Sequence, residues 1–188
     1  VANHFSIAQA CFLSLVLFSG ASQFAVVGVM GAGGSAINAI GTGGLLGLRN
    51  SLYSLRMKPL LHLKGLKRVF GSQLTIDEST GIALAQSNDS DSVKGFWYTG
   101  IGVYVWWNLF TFVGALGAQS IGDPAKWGLD SAVPAAFLAL VWPRLTNIKN
   151  WVLAITAALI AVLLTPIMPA GLPIISCALL ALIFGWNK

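Results

Sequence analysis

Acidic residues are scarce in this 188-residue chain: six Asp and Glu stand against eleven Lys and Arg, and only 9 % of residues are charged. Soluble domains carry roughly 25 % charged residues, and they need them to keep their surfaces hydrated. The shortage excludes an ordinary soluble domain. Histidine and cysteine are equally sparse, at two each. His4 and His62 are isolated, without the spacing of a metal site. Cys11 and Cys177 fall in apolar stretches, where they read as small hydrophobes, and they build neither a zinc motif nor a disulfide framework. There is no hydrolytic triad, no metal set, no cofactor box and no internal repeat detectable by direct similarity.

What the sequence does hold is hydrocarbon. Hydrophobic residues make up 56 % of the chain, with a mean hydropathy of +0.77. The expectation is an all-α, polytopic integral membrane helical bundle, since helices satisfy their own backbone groups in lipid. The net charge of +5 would suit nucleic acid, but the bases cluster between apolar runs, where they set topology. The expected surroundings are therefore a lipid bilayer, with no nucleic acid as partner. The chain opens on Val1 and not on Met, so an incomplete N-terminus is expected. The first apolar run lacks a basic leading region and is too long for a signal peptide.

A span needs about 20 helical residues, or fewer where it is broken. Six apolar segments qualify as full or short spans: 7–30, 36–55, 96–118, a short one from Gly128 to Pro143, 151–167 and 172–186. The Gly-rich stretch 31–35 is the turn between the first two. Gly43 and Gly47 in the second are spaced for close helix approach; no strand and no Lys-Ser or Lys-Thr ending supports a phosphate loop. Residues 56–68 carry Arg56, Lys58, Lys64, Lys67 and Arg68 with no acid, which marks a cytoplasmic loop. Leu60, Leu63, Leu66 and Phe70 recur at near-helical spacing, predicting an amphipathic helix on the membrane surface. The stretch 72–86, with Asp77 and Glu78, reads either as a solvated helix or as one that dips into the protein. Residues 87–95 read as an exposed loop. Aromatic residues crowd the start of the 96–118 span as an interfacial belt, whereas Trp106 and Trp107 lie deeper. Arg144 and Lys149 mark a second cytoplasmic loop, and Trp151 and Trp186 anchor two final scaffold spans.

Polar interruptions single out the functional candidates. Phe18-Ser19-Gly20-Ala21-Ser22-Gln23-Phe24 sits inside the first apolar run. Its polar groups either glue packed helices together or mark a broken helix lining a substrate site. Arg49 either snorkels to the interface or pairs with an acid inside the bundle. Pro134 removes a backbone donor, with Asp130 four residues before it; Asp130 is either a helix cap or a proton or substrate site. Paired interruptions at 19–23 and 130–134 point to a transporter site at the midplane.

With these pieces in order, the chain resembles the AzlC family of branched-chain amino-acid permeases. The resemblance rests on Ser14-Leu15 and Phe18 to Phe24; on Leu48-Arg49-Asn50-Ser51-Leu52-Tyr53; on Asp77-Glu78; on Trp107 with Gly114 and Gly117; and on Gly128-Leu129-Asp130 with Pro134-Ala135-Ala136-Phe137. The final two spans match only as hydrophobic segments. Ser19 stands where the family commonly has Ala. Ile76 precedes the acidic pair where Thr is usual, and Thr80 occupies a position where an aromatic is expected.

The resemblance implies a single transmembrane transporter domain over 1–188, in which 56–95 is a cytoplasmic loop with amphipathic or partly inserted helices. It implies a multi-pass protein of the bacterial cytoplasmic membrane that exports leucine, isoleucine and valine, with methionine a substrate in some members. It further implies proton coupling and a separately encoded small membrane partner of the AzlD type. No cofactor and no enzymatic activity are expected. A zwitterionic substrate needs partners for its carboxylate and its ammonium, and an apolar pocket for its side chain. Ser19, Gly20, Ser22, Gln23 and Arg49 are the carboxylate candidates, and Asn50 is a further substrate-binding candidate. Asp130, with Glu78 behind it, is the candidate for the ammonium or the coupling proton, and Asp77 is a further proton-coupling candidate. Trp107 and Phe137 are the apolar walls, and Pro134 the residue that opens a helix. Two other readings stand beside this one: a membrane enzyme using Asp77, Glu78 and Asp130, and a non-transporting membrane subunit or assembly factor.

Overall fold

The computed structural model describes residues 5–121, 124–128 and 131–186, and every regular element among them is helical. The all-α expectation holds for these residues. Among them, one helical stretch, Asp89–Ala118, is long and apolar enough to cross a membrane, and only 6 % of its apolar window is buried by the protein. The chain gathers into two compact units. Among the described residues, the first comprises Phe5–Gln23 and Leu46–Ser120, and the second Phe24–Leu45 and the chain from Ile121 onward.

The first apolar run is two helices, α1 (Ile7–Val16) and α2 (Gly20–Gly31). Ser6 and Gln9 start α1 with a reciprocal capping box, Ser6 Oγ accepting from the Gln9 N–H at 3.2 Å and Gln9 Oε1 from the Ser6 N–H at 2.8 Å. The break falls at residues 17–19, and residues 20–23, expected to be part of it, are already helical. Helix α3 (Ala36–Leu61) outruns the expected span by six residues and passes through Pro59. A proline in the last turn costs one hydrogen bond, that to the Leu55 carbonyl, and the helix ends before a second is lost. The amphipathic helix expected from Leu60 to Phe70 is therefore split. His62 at φ 48° and Gly65 at φ 54° turn the chain, so Leu60 belongs to α3 and only Leu66 and Phe70 to α4 (Gly65–Gln73).

Helix α5 (Asp77–Leu84) is exposed on one face only. Ser79, Thr80 and Ala83 are buried, and Leu74, Thr75 and Ile76 lead into it from the core of the first unit. Ser79 secures its start by accepting from the Ile76 N–H at 3.1 Å and donating to the Leu74 carbonyl at 2.6 Å. Residues 89–95 are exposed for the most part but helical, which corrects the loop expected at 87–95. Asn88 accepts from the Asp91 N–H at 2.9 Å and so caps α6 (Asp89–Ile121) seven residues before its apolar part. In the core of this unit Phe18, Met57, Leu74, Ile76, Ala83 and Phe96 pack together, with Tyr104 and Trp107 against them.

In the second unit, α7 (Ala132–Val141) carries Pro134 as its third residue. In the first helical turn an N–H has no intrahelical acceptor, so Pro134 interrupts nothing there. The helix expected to be opened by Pro134 is instead one that begins around it. Asp130 lies outside the described residues. Helices α8 (Ile148–Leu164) and α9 (Leu172–Trp186) pack on each other, as expected of the scaffold spans. The turn before α9 sits close against α2 and α3: Asn38 Nδ2 donates to the Ala170 carbonyl at 3.2 Å, and Thr42 Oγ1 to the Gly171 carbonyl at 3.3 Å.

Candidate functional site

A helix break leaves two sets of unpaired backbone groups, carbonyls on one side and amides on the other. Here the two sides are treated differently. On the α1 side, the Leu15 carbonyl accepts from Gln73 Nε2 at 3.0 Å and Tyr104 Oη at 3.1 Å, and the Val16 carbonyl from Gln73 Nε2 at 3.1 Å. The carbonyl end is thus tied to α4 and α6 by protein groups. Phe18 fills the elbow and meets the Tyr104 ring edge-on at 4.9 Å.

On the α2 side, Ser19 occupies the N-cap position, its carbonyl accepting from the Gln23 N–H at 2.8 Å. Its hydroxyl does not cap: Ser19 Oγ is buried without a hydrogen-bond partner among the described residues, and so is Ser22 Oγ. Ser22 is fully buried and Ser19 almost so. The first amides of α2 point along the positive end of the helix dipole. Gln23 does act as glue, its Oε1 accepting from Trp107 Nε1 at 2.9 Å. The Trp107 indole lies over Gly20, where any Cβ would stand 3.2 Å from its ring. A side chain at 20 would press on the indole by a few tenths of an ångström. The start of α2 therefore combines unpaired amides, two unpaired buried hydroxyls and one aromatic wall.

Helix α3 borders this arrangement through Gly47, whose notional Cβ would lie 3.4 Å from Ser22 Oγ. Asn50 is three residues further, on the same helix face, and its Oδ1 is buried without a partner. Arg49 resolves its two readings in favour of pairing: its Nη2 lies 2.9 Å from Asp77 Oδ2, both side chains being about a quarter exposed. The pair is one-pronged. Arg49 Nε and Asp77 Oδ1 are both buried and unpartnered, as is Thr80 Oγ1 one turn along α5. Glu78 is exposed. Every buried polar atom without a partner among the described residues belongs to the first unit.

The fold thus brings Ser19, Gly20, Ser22, Gln23, Arg49, Asn50, Asp77 and Trp107 into one unit. Phe137 and Pro134 belong to the other, where Phe137 meets Phe24 edge-on at 6.2 Å. Thr80 and Asn108 were missed. Asn108 donates to the Tyr104 carbonyl at 2.8 Å while its Oδ1 is buried and unpartnered. The signal available for Thr80 was its spacing of three from Asp77; for Asn108 it was an amide following two tryptophans within an apolar helix. Gln73 and Tyr104 carried no signal at all, because their role exists only once α1 ends beside them. Among the described residues no group of His, Cys, Asp and Glu is gathered to hold a metal ion.

Such a set presents donors and a positive helix end to an anion, and carboxylate and amide oxygens to a cation, beside an aromatic wall. The model of the AzlC family, described as AzlC protein, matches residues 1–121, which takes in the break, α3, α5 and α6; the resemblance drawn above through Gly128 to Phe137 lies beyond the match. No curated protein and no solved structure matches the chain. The chain belongs to the AzlC family, a membrane-associated family of amino-acid transport proteins.

Proposed function

We propose that this protein is a multi-pass permease of the bacterial cytoplasmic membrane that exports branched-chain amino acids, leucine, isoleucine and valine foremost and methionine besides, under the proton gradient. The observation that carries the reading is the asymmetry of the break. Its carbonyl end is satisfied by Gln73 and Tyr104, and its amide end is left with the unpaired hydroxyls of Ser19 and Ser22. A helix start kept open in this way receives a carboxylate. The substrate ammonium then turns to the Asp77 Oδ1 and Asn50 Oδ1 atoms that no protein group occupies, while Trp107 bounds the apolar side chain. In this reading Arg49 holds Asp77 in place and does not itself meet the substrate carboxylate. Of the coupling acids, Asp77 and Asp130 are retained and the exposed Glu78 is the weaker candidate.

Membrane embedding is supported by α6, a long apolar helix that gives Phe96 to the core but has only 6 % of its apolar window buried; the core helix of a soluble protein would be mostly buried. Phe12, Ile40, Phe110, Leu159 and Val162 are likewise large and exposed, which hydrocarbon solvates and water does not. The base-rich segment 56–68 faces the cytoplasm by the charge rule. A small AzlD-type membrane protein is the proposed partner. The test is efflux of labelled leucine from cells expressing this chain with and without that partner, followed by counterflow in proteoliposomes. Leucine efflux and counterflow that depend on this chain are expected. Inserted, monodisperse protein that moves no leucine even with the partner present would overturn the proposal and favour a non-transporting subunit.

A further inference from the structure

A second feature of the first unit is independent of the break. The turn at His62 and Gly65 folds α4 back on the end of α3, and Leu63 closes it by packing on Gly71, where a Cβ would displace the Leu63 side chain. A cavity of about 200 Å³ opens between the two helices. Ser54 and Lys58 line it from α3, four residues apart, and Arg68 and Ser72 from α4, also four apart. Each pair shares a helix face, so one lysine, one arginine and two serines border the same cavity. Among the described residues no acid lines the cavity, and neither Lys58 nor Arg68 forms an ion pair. Leu55 also lines it, and it is the last of three exposed leucines, Leu48, Leu52 and Leu55, at helical spacing along α3. That stripe is about 10 Å long at the usual rise per residue.

We propose that this cavity binds the phosphate of an anionic glycerophospholipid, with an acyl chain laid along Leu48, Leu52 and Leu55. Arginine and lysine are the side chains that recognise phosphate oxygens. The absence of any acid in the lining gives a zwitterionic headgroup nothing to meet its own ammonium, so the site selects anionic headgroups over zwitterionic ones. An amino acid is a poor fit for the same reason. The site needs the chain to lie in a bilayer but not the amino-acid site at the break, so lipid retention and leucine transport are separable measurements.

The experiment uses the whole purified chain in detergent, titrated with dioleoyl phosphatidylglycerol, with dioleoyl phosphatidylcholine or with inorganic phosphate, and read by native mass spectrometry. Phosphatidylglycerol is expected to bind about tenfold tighter than phosphatidylcholine. Lys58→Gln with Arg68→Gln removes that preference, because two charge-assisted contacts are lost. Lys64→Gln with Lys67→Gln, an equal change of charge outside the cavity, leaves it intact. Ser72→Leu, which fills the cavity without altering charge, weakens phosphatidylglycerol binding and guards against misfolding of the charge variant. Equal losses from the two charge pairs would reduce the effect to general electrostatics and overturn the site. Retained binding in Ser72→Leu would overturn it as well, and binding of inorganic phosphate in place of the lipid would make it a site for a free anion.

Discussion

Two fully buried hydroxyls separate the two units of this protein. Thr42, in the second unit, donates to the Asn38 carbonyl at 2.8 Å and reaches the Gly171 carbonyl at 3.3 Å. Ser22, in the first unit, is just as buried and has no partner among the described residues. Burying a hydroxyl without a hydrogen bond costs about 1–3 kcal/mol, so a protein does not leave one idle inside a unit that it packs well elsewhere. The sequence offers the same Gly, Ser and Thr vocabulary in both places. What differs is satisfaction. Small polar residues whose bonds are complete hold helices together, and those whose bonds are open await something else. The comparison turns the choice between glue and site into a matter of accounting.

The largest effect should come from tightening the satisfied unit. Gly171 has φ +94°, and a Cβ there would stand 2.8 Å from Thr42 Oγ1 and 3.1 Å from Val29. Gly171→Ala combines backbone strain with a clash against packed atoms, and should cost about 3 kcal/mol or more. Gly28 is the control, lying in α2 with nothing within 4 Å of its notional Cβ. Gly28→Ala should be neutral or slightly stabilising, since it removes freedom from the unfolded chain. Thermal melts of the two variants in detergent measure the difference. Equal melting temperatures would mean that the Gly171 joint is not packed as described.

Next in size is the open unit's own test. Ser22→Ala deletes a hydroxyl that has no partner among the described residues, so stability should stay within about 0.5 kcal/mol. If the hydroxyl serves the substrate carboxylate, counterflow of leucine should weaken about tenfold to a hundredfold, the loss of a hydrogen bond to a charged group. Melting and counterflow are read on the same preparation. A destabilised Ser22→Ala that transports normally per inserted molecule would reverse the assignment and make Ser22 glue.

Sequence patterning carried the helical class, the turn at 31–35, the two last helices and a break in the first apolar run. These follow from long apolar runs and from Gly and Ser clusters, which act over a few residues. The break was still placed about two residues late, because Ser19 and Gln23 look like its centre although the chain turns at Leu17 and Phe18. Pro134 misled, since a proline opens a helix only in its interior and this one lies in the first turn of α7. Asn88 is a capping signal that was read as part of a loop. The pairing of Arg49 with an acid was one of two open readings that left the acid unnamed, and the contact of Gln23 with Trp107 joins residues 84 apart. No local pattern encodes such a distance. The satisfaction of Thr42 and the isolation of Ser22 are likewise tertiary facts, and the sequence alone gives both the same reading.

The smallest effect, and the sharpest use of the comparison, is expected at Thr42 itself. Thr42→Val keeps the shape of the side chain and so creates no cavity, and it removes only the donor. The short bond to the Asn38 carbonyl is a local one to the residue four back, which that carbonyl can lose because its helical bond remains. The longer reach to the Gly171 carbonyl is the tertiary part. Hydrogen bonds between helices in membranes average about 0.6 kcal/mol and seldom exceed about 1.7 kcal/mol, and the 3.3 Å length belongs at the lower end. The Asn38 amide still holds the Ala170 carbonyl at 3.2 Å, so the joint should stay closed. Thr42→Val is therefore expected to lower the melting temperature slightly and to leave leucine counterflow per inserted molecule unchanged, the mirror image of Ser22→Ala. A Thr42→Val protein with unaltered melting and a tenfold loss of counterflow would show that a fully satisfied hydroxyl also serves transport. Hydrogen-bond accounting would then no longer tell the two units apart.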